Sequence, residues 1–218
     1  MDKIKAILFD LDGVLINTMN LHEKAFKLVL SGIGMSVDKK MIAGRTTKEI
    51  FYKELAMVSR GFTNKMIDQM IIKKQKLSSQ MIQAAGHSIL TPGVKEVIPF
   101  LAKYYKLAIC TSGNSKNVDL FYELSSLSQY FIKDLSQSDV SKGKPHPEIY
   151  LKAAELLGLK PSECIVVEDS FAGCCSATEG GFNLIILYSD LSPSYRDFPR
   201  SIQIERFDQL FKIKSLIG

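Results

Sequence analysis

Five short apolar runs, each closed by an acidic or small polar turn, constrain this chain more than any other feature. They are "AILFD" (Ala6 to Asp10), "KLAICTSG" (Lys106 to Gly113), "YFIKDL" (Tyr130 to Leu135), "ECIVVEDS" (Glu163 to Ser170) and "FNLIILYSD" (Phe182 to Asp190). They are rich in β-branched residues and lack a clean apolar/polar alternation. Strands covered on both faces read this way. Stretches of helical spacing separate the later runs: Val94 to Lys103, Lys116 to Ser126, Pro147 to Leu157 and Ala172 to Glu179. Strand alternating with helix predicts an α/β fold built on a doubly wound parallel sheet.

The alternation breaks once. Between the first run and Pro92 no strand is legible. Instead "LHEKAFKLVL", "TTKEIFYKELAMV" and "NKMIDQMIIKKQKLSSQMIQAA" carry helical spacing, with Ile67, Met70, Ile71 and Leu77 at three- and four-residue steps. Residues 17–86 therefore read as an all-helical insert, a cap, on a core formed by residues 1–16 and 87–218. Both junctions lie near the "FDLDG" end of the sheet.

Composition narrows the partners. Of 218 residues, 28 are Lys or Arg and 23 are Asp or Glu, a net charge of +5. A nucleic-acid binder carries a dense basic stripe with interleaved aromatics. Here the basic clusters are short, as in Lys73-Lys74-Gln75-Lys76, and read as a solvated helix face. No nucleic acid is expected, and a small anionic metabolite fits better. No stretch approaches the roughly 18 uncharged apolar residues of a spanning helix, so no membrane partner is expected. Lys3, Lys5, Asp10 and Asp12 interrupt the first apolar run, so no secretory leader is read there. Cys110, Cys164, Cys174 and Cys175 show no CxxC spacing, and the three histidines form no ligand pattern. A reduced, cytoplasmic protein is the expectation.

In a doubly wound sheet, ligands bind beyond the carboxyl ends of the strands. The runs deliver Asp10 and Asp12, then Thr111, Ser112 and Gly113, then Glu168 and Asp169 to that end. The loop after the third run adds Lys142 and Lys144 within "KGKPHPEIY". Four carboxylates together repel, and a hard divalent cation such as Mg2+ resolves the repulsion. A lysine there supplies positive charge near a transferring group. Ser112 and Thr111 supply hydroxyls, and Gly113 with Asn114 allows backbone N–H groups to face an anion at a helix start. This combination is a phosphate-and-metal site. An aspartate can serve as nucleophile in phosphoryl transfer, and a second carboxylate two residues on can trade a proton with the leaving group.

"FDLDGVLINT", "CTSGNS", "KGKPHPEIY" and "VVEDSFAG" resemble, in order, the four motifs of the haloacid dehalogenase (HAD) superfamily. The resemblance spans nearly the whole chain. It implies Asp10 as nucleophile and Asp12 as general acid/base, with Ser112 and Lys144 as phosphate ligands. It further implies that Asp10, the backbone carbonyl of Asp12, and Asp169 hold Mg2+, with Glu168 close by. In the subgroup containing β-phosphoglucomutase and many small phosphatases the insert is a helical cap, in agreement with residues 17–86. His22 and the stretch Gly44-Arg45-Thr46-Thr47 resemble cap positions that face substrate. Two departures stand out. Many relatives carry an acidic residue where this chain has Asn17, which implies a change in the hinge or in substrate fit. Arg45 falls two residues early for the phosphate-holding arginine of the mutases. The implied activity is a Mg2+-dependent phosphatase acting on a small phosphomonoester through an aspartyl-phosphate. The alternative is a sugar-phosphate mutase of the β-phosphoglucomutase type.

Overall fold

A computed structural model describes residues 3–56, 61–187 and 194–216. Six parallel strands form one sheet in the order β3–β2–β1–β4–β5–β6. They are β1 (Ala6–Phe9), β2 (Lys106–Cys110), β3 (Lys133–Leu135), β4 (Cys164–Glu168), β5 (Asn183–Leu187) and β6 (Ser201–Ile204). The order reverses at β1, which pairs with β2 on one side and β4 on the other. That reversal opens a crevice at the carboxyl ends of β1 and β4, where α/β sheets bind ligands.

The absence of alternation in "AILF" has a direct cause, since all four residues are fully buried. Side chains of a strand point alternately to the two faces. Ile7 and Phe9 enter one core, with α5 (Val94–Leu101), α6 (Ser115–Ser125) and α9 (Ile213–Leu216). Ala6 and Leu8 enter the other, with α7 (Glu148–Leu156) and α8 (Phe171–Glu179). The helices lie within one to two residues of the predicted stretches.

Three features differ from the sequence reading. The sixth strand, β6, was not expected. Its "SIQI" is short and carries a mid-strand Gln203, and only Ile204 is fully buried, because it is an edge strand with weak apolar demand. The third run starts its strand only at Lys133, and Leu135 is its single buried residue. In the fifth run the strand is Asn183–Leu187, and Tyr188 to Asp190 lie outside the described residues.

Between β1 and β2 the described chain is helical, as expected. It holds α1 (Met19–Leu30), α2 (Lys39–Ile42), α3 (Thr47–Ala56) and α4 (Asn64–Ala85). These helices bury a core of their own around Phe26, Leu30, Ile50, Phe51, Ile67 and Ile71, with the Phe26 and Phe51 rings 5.4 Å apart. The two connections to the sheet run side by side. Ile16 bridges Leu90, the Asn17 N–H donates to Ile89 O at 2.7 Å, and the Thr91 N–H donates to Leu15 O at 3.1 Å. Among the described residues no helix is long and apolar enough to cross a membrane.

Leu8 is fully buried in a central strand, and truncating such a side chain leaves a cavity. Leu8→Ala is expected to lower the stability of the fold by about 2–5 kcal/mol. The midpoint of urea unfolding measures it. A loss under about 1 kcal/mol would contradict the packing of this face.

Candidate active site

Each strand end sets one group. β1 ends in Asp10, whose N–H donates to Val167 O of β4 at 3.0 Å, so the carboxylate starts where the pairing stops. Asp10 is 6% exposed. β4 ends in Glu168 and leads to Asp169, both buried. The loop after β3 carries Lys144, which a cis peptide joins to Pro145. The Lys144 ammonium donates to Asp10 Oδ1 and Glu168 Oε1, each at 2.6 Å, and to Cys110 O at 3.0 Å. One buried cation therefore ties three strand ends together.

Glu168 is saturated. Its Oε1 also accepts from the Tyr150 hydroxyl at 2.7 Å. Its Oε2 accepts from the N–H groups of Asp169 and Ser170 and from the Ser170 hydroxyl. Burial opposes its ionisation, but Lys144 and these donors hold its pKa below the ordinary value. Asp169 has the opposite surroundings. Among the described residues its carboxylate makes no hydrogen bond or ion pair, and burial with the charges of Glu168 and Asp10 pushes its pKa well up. Burial pushes Asp10 up to about 7 against the pull of Lys144, with Glu168 adding to the rise.

Glycine is required at two positions here. Gly13 has φ +97°, and a Cβ there would lie 2.1 Å from Asp169 Oδ2. A Cβ at Gly173, in the first turn of α8, would lie 1.7 Å from Glu168 Oε1. Side chains at either position would displace a carboxylate.

The second aspartate belongs to a network that crosses into the helical insert. Thr18 donates its hydroxyl to Asp12 Oδ1. His22 Nε2 lies 3.4 Å from the same oxygen, and Lys74 of α4 donates to His22 Nδ1 at 3.0 Å and to Thr47 Oγ1 at 3.3 Å. Because Nδ1 accepts, the imidazole is neutral and its Nε2–H faces Asp12. Burial and the nearby Lys74 charge agree, holding His22 below its ordinary pKa. Burial opposes ionisation of Asp12, yet the contacts with His22 and Thr18 and the Lys74 charge hold it below its ordinary value. Lys74 is 3% exposed, lies 4.4 Å from the Phe26 ring, and is pushed down to about 8 by burial. The solvated reading of the basic cluster is therefore corrected at this residue. Lys73 and Lys76 are exposed, but Lys74 faces inward one helical step away.

A cavity of about 70 Å³ lies between sheet and insert, bordered by Asp10, Asp12, His22, Arg45, Lys74 and Ser112 among others. Gly113, Gly44 and Thr47 also line it. Thr46 is not among the lining residues, because its hydroxyl donates to Glu49 Oε2 at 2.9 Å and starts α3. Ser112 donates to Gly44 O at 3.1 Å, a contact that holds the insert against the sheet. The Gly113 N–H donates to Thr111 Oγ1 at 2.9 Å. Asn114 caps α6. Lys142, unlike Lys144, is exposed, and Asp139 accepts from Ser136 in a loop turn.

Sequence reasoning missed Thr18, Lys74, Tyr150 and Gly173. Helical spacing located the α4 face that carries Lys74, but its like-charged neighbours masked it. The glycine in "FAGCC" was legible only once the Glu168 side chain was in place.

Fold and site together define an α/β sheet with a helical insert, whose strand ends gather carboxylates around a buried lysine. Comparison with known proteins names the family. Residues 4–181 match the model of the haloacid dehalogenase-like hydrolases, and the chain belongs to that family. It is a hydrolase. Protein CbbY of Rhodobacter capsulatus is 31% identical over 198 residues, covering 86% of this chain and 87% of that protein. A phosphorylated carbohydrates phosphatase of Thermotoga maritima is 28% identical, with 84% of each chain covered. The crystal structure of β-phosphoglucomutase from Clostridium difficile superposes with a TM-score of 0.84 at 20% identity, covering 98% of this chain and 96% of that one, a likeness of fold.

The Lys74 network carries a pH signature. A lysine whose folded pKa is about 8 against about 10.4 unfolded destabilises the fold fully below pH 8. That cost is relieved as pH rises from 8 to about 10.4, because there the unfolded state binds the extra proton. Relative to Lys74→Met, the wild-type chain is expected to gain about 2–4 kcal/mol of stability between pH 7 and 10.5. Urea unfolding of both proteins across that range measures it. A constant difference would contradict a charged, buried Lys74.

Proposed function

We propose that the protein is a Mg2+-dependent phosphatase that hydrolyses a small phosphomonoester through an aspartyl-phosphate on Asp10. Residues 1–16 and 87–218 form the catalytic core, and residues 17–86 the cap. One observation carries the reading. Asp10, Glu168 and Asp169 are buried together, Lys144 pairs with the first two, and Asp169 has no hydrogen bond or ion pair among the described residues. A divalent cation would give that carboxylate the partner it lacks and favour its ionised form.

The donor set suits a hard cation. Carboxylate oxygens of Asp10, Glu168 and Asp169 all lie within 4.8 Å of one another. Glu168 already accepts five hydrogen bonds, so Asp10 and Asp169 are the open ligands, with the Asp12 carbonyl as the resemblance implies. Glu168 serves by fixing Lys144. Bound Mg2+ would stabilise the charge that develops on the phosphoryl oxygens.

Asp10 Oδ1 is held by Lys144, which leaves Oδ2, without a hydrogen bond among the described residues, to attack phosphorus. Lys144 opposes the rise that burial imposes on Asp10, favouring its ionised form for that attack, and offers its charge to the transferring group. Asp12 is ionised at rest. The arriving phosphate is a like charge that raises its pKa, so it can take up a proton and deliver it to the leaving alkoxide. It then accepts a proton from the water that cleaves the acyl phosphate. Thr18 and His22 orient its carboxylate for both steps. The cap, bearing His22, Arg45, Thr47 and Lys74, excludes water and meets the leaving group.

Asp10→Asn is expected to lower turnover by at least about 10⁴-fold with the fold intact, because an amide is a poor nucleophile. Release of inorganic phosphate from a panel of sugar phosphates, glycolate phosphate and nucleotides measures it. Activity near wild type would exclude attack by Asp10, and isomerised sugar phosphate in place of phosphate would identify a mutase.

Core and cap also divide the work. Lys144→Ala is expected to slow every substrate by a similar factor, whereas Arg45→Ala reorders them, since only a cap contact senses the leaving group. Ratios of kcat/KM across the panel check this. Reordering by Lys144→Ala would reverse the assignment.

A further inference from the structure

A second cavity, of about 490 Å³, lies on the other side of the carboxylates. It opens beside the junction of insert and sheet, bordered by Asn17, Met19 and Asn20, by Lys39 at the start of α2, and by Thr91 to Gly93. Among the described residues, Leu187 and Glu205 to Asp208 form the rest of its wall. Its inner end is Asp169 with Gly13. The two cavities divide the acidic cluster between them. Asp10 and Asp12 line the first and Asp169 does not, while Asp169 lines the second and neither Asp10 nor Asp12 does. Met19 borders both and forms part of the partition.

From this arrangement we infer that the divalent cation enters and leaves through the second cavity, by a route separate from that of the substrate. The inference rests on the proposed metal site and adds its path. Four observations carry it. The path runs from solvent to the unpartnered carboxylate, because Asn17, Asn20, Glu205 and Arg206 are exposed and Asp169 is 3% exposed. Residues with oxygen-bearing side chains border it: Asn17, Asn20, Thr91, Glu205 and Asp208. A hard cation that dehydrates reluctantly is passed along by such groups. Charge also differs between the two routes. In the first cavity Arg45 and Lys74 of the insert offset Asp10 and Asp12, leaving no excess of negative charge. In the second, Asp169, Glu205 and Asp208 outnumber Lys39 and Arg206, and Asp208 accepts from Arg206 at 3.1 Å. Finally, the second cavity is open while the insert sits closed on the sheet through the Ser112 to Gly44 contact. The cation can then exchange without the cap lifting. Asn17 gains a role here, since a neutral side chain at the mouth lets the ion pass without trapping it short of Asp169.

Mn2+ alone is the probe. Electron paramagnetic resonance of free Mn2+ gives Kd, and release to a chelating dye after rapid mixing gives the dissociation rate. Asn20→Trp and Asn17→Trp narrow the mouth from two sides. Each is expected to slow release at least tenfold with Kd unchanged within twofold, so that association slows equally. Gln75→Trp, which narrows the substrate cavity, is expected to leave release unchanged. Wild-type release rates in both mouth variants would overturn the route. So would slow release in Gln75→Trp, or a change of Kd that accounts for the slower release. No Mn2+ binding to the wild-type protein would overturn the metal site itself, a result distinct from binding with unaltered rates.

Discussion

The end of the sheet depends on one buried ammonium. Lys144 has a side chain 1% exposed and lies 2.6 Å from two carboxylates on neighbouring strands. Without it Asp10 and Glu168 would face each other as like charges in a dry crevice, and one would take up a proton. The pairing is not a source of net stability, because removing ions from water costs about as much as their attraction returns. What it fixes is position. The Tyr150 hydroxyl, the Ser170 N–H and the Ser170 hydroxyl orient Glu168, Glu168 orients Lys144, and Lys144 orients Oδ1 of Asp10.

A second ammonium answers it from the insert. Lys74 is held by Phe26, which belongs to the insert's own core, and reaches Asp12 only through His22. In the proposed mechanism the insert thus governs the acid/base carboxylate while the sheet governs the nucleophile. Any motion that lifts α4 would remove the Lys74 charge and change the proton affinity of Asp12. On the proposed mechanism, closing the cap and arming the second aspartate would then be one event.

The strand ends were legible in the sequence because a strand buried on both faces has no reason to end in carboxylates unless the end does something else. Asp10, Asp12, Glu168 and Asp169 stood out against apolar runs for that reason, and Lys144 stood out just ahead of Pro145 and Pro147. The edge strand β6 was not legible, since an edge asks for little burial and Gln203 sits within it. Lys74 was hidden by Lys73 and Lys76, and composition cannot tell which of three neighbours turns inward. Thr46 and Thr47 looked equivalent, yet one starts a helix with Glu49 and the other meets Lys74. Such choices are settled by tertiary packing, not by local pattern.

A phosphoryl group on Asp10 is the species on which the proposed chemistry turns. Acid quenching during steady turnover of p-nitrophenyl phosphate with Mg2+, followed by borohydride reduction, converts an acyl-phosphorylated aspartate to homoserine. Peptide mass spectrometry then reads its position. Homoserine at residue 10, and none when Mg2+ is left out, is the expected result. Turnover with aspartate intact at residue 10, or homoserine at residue 12 or 169 instead, would contradict it.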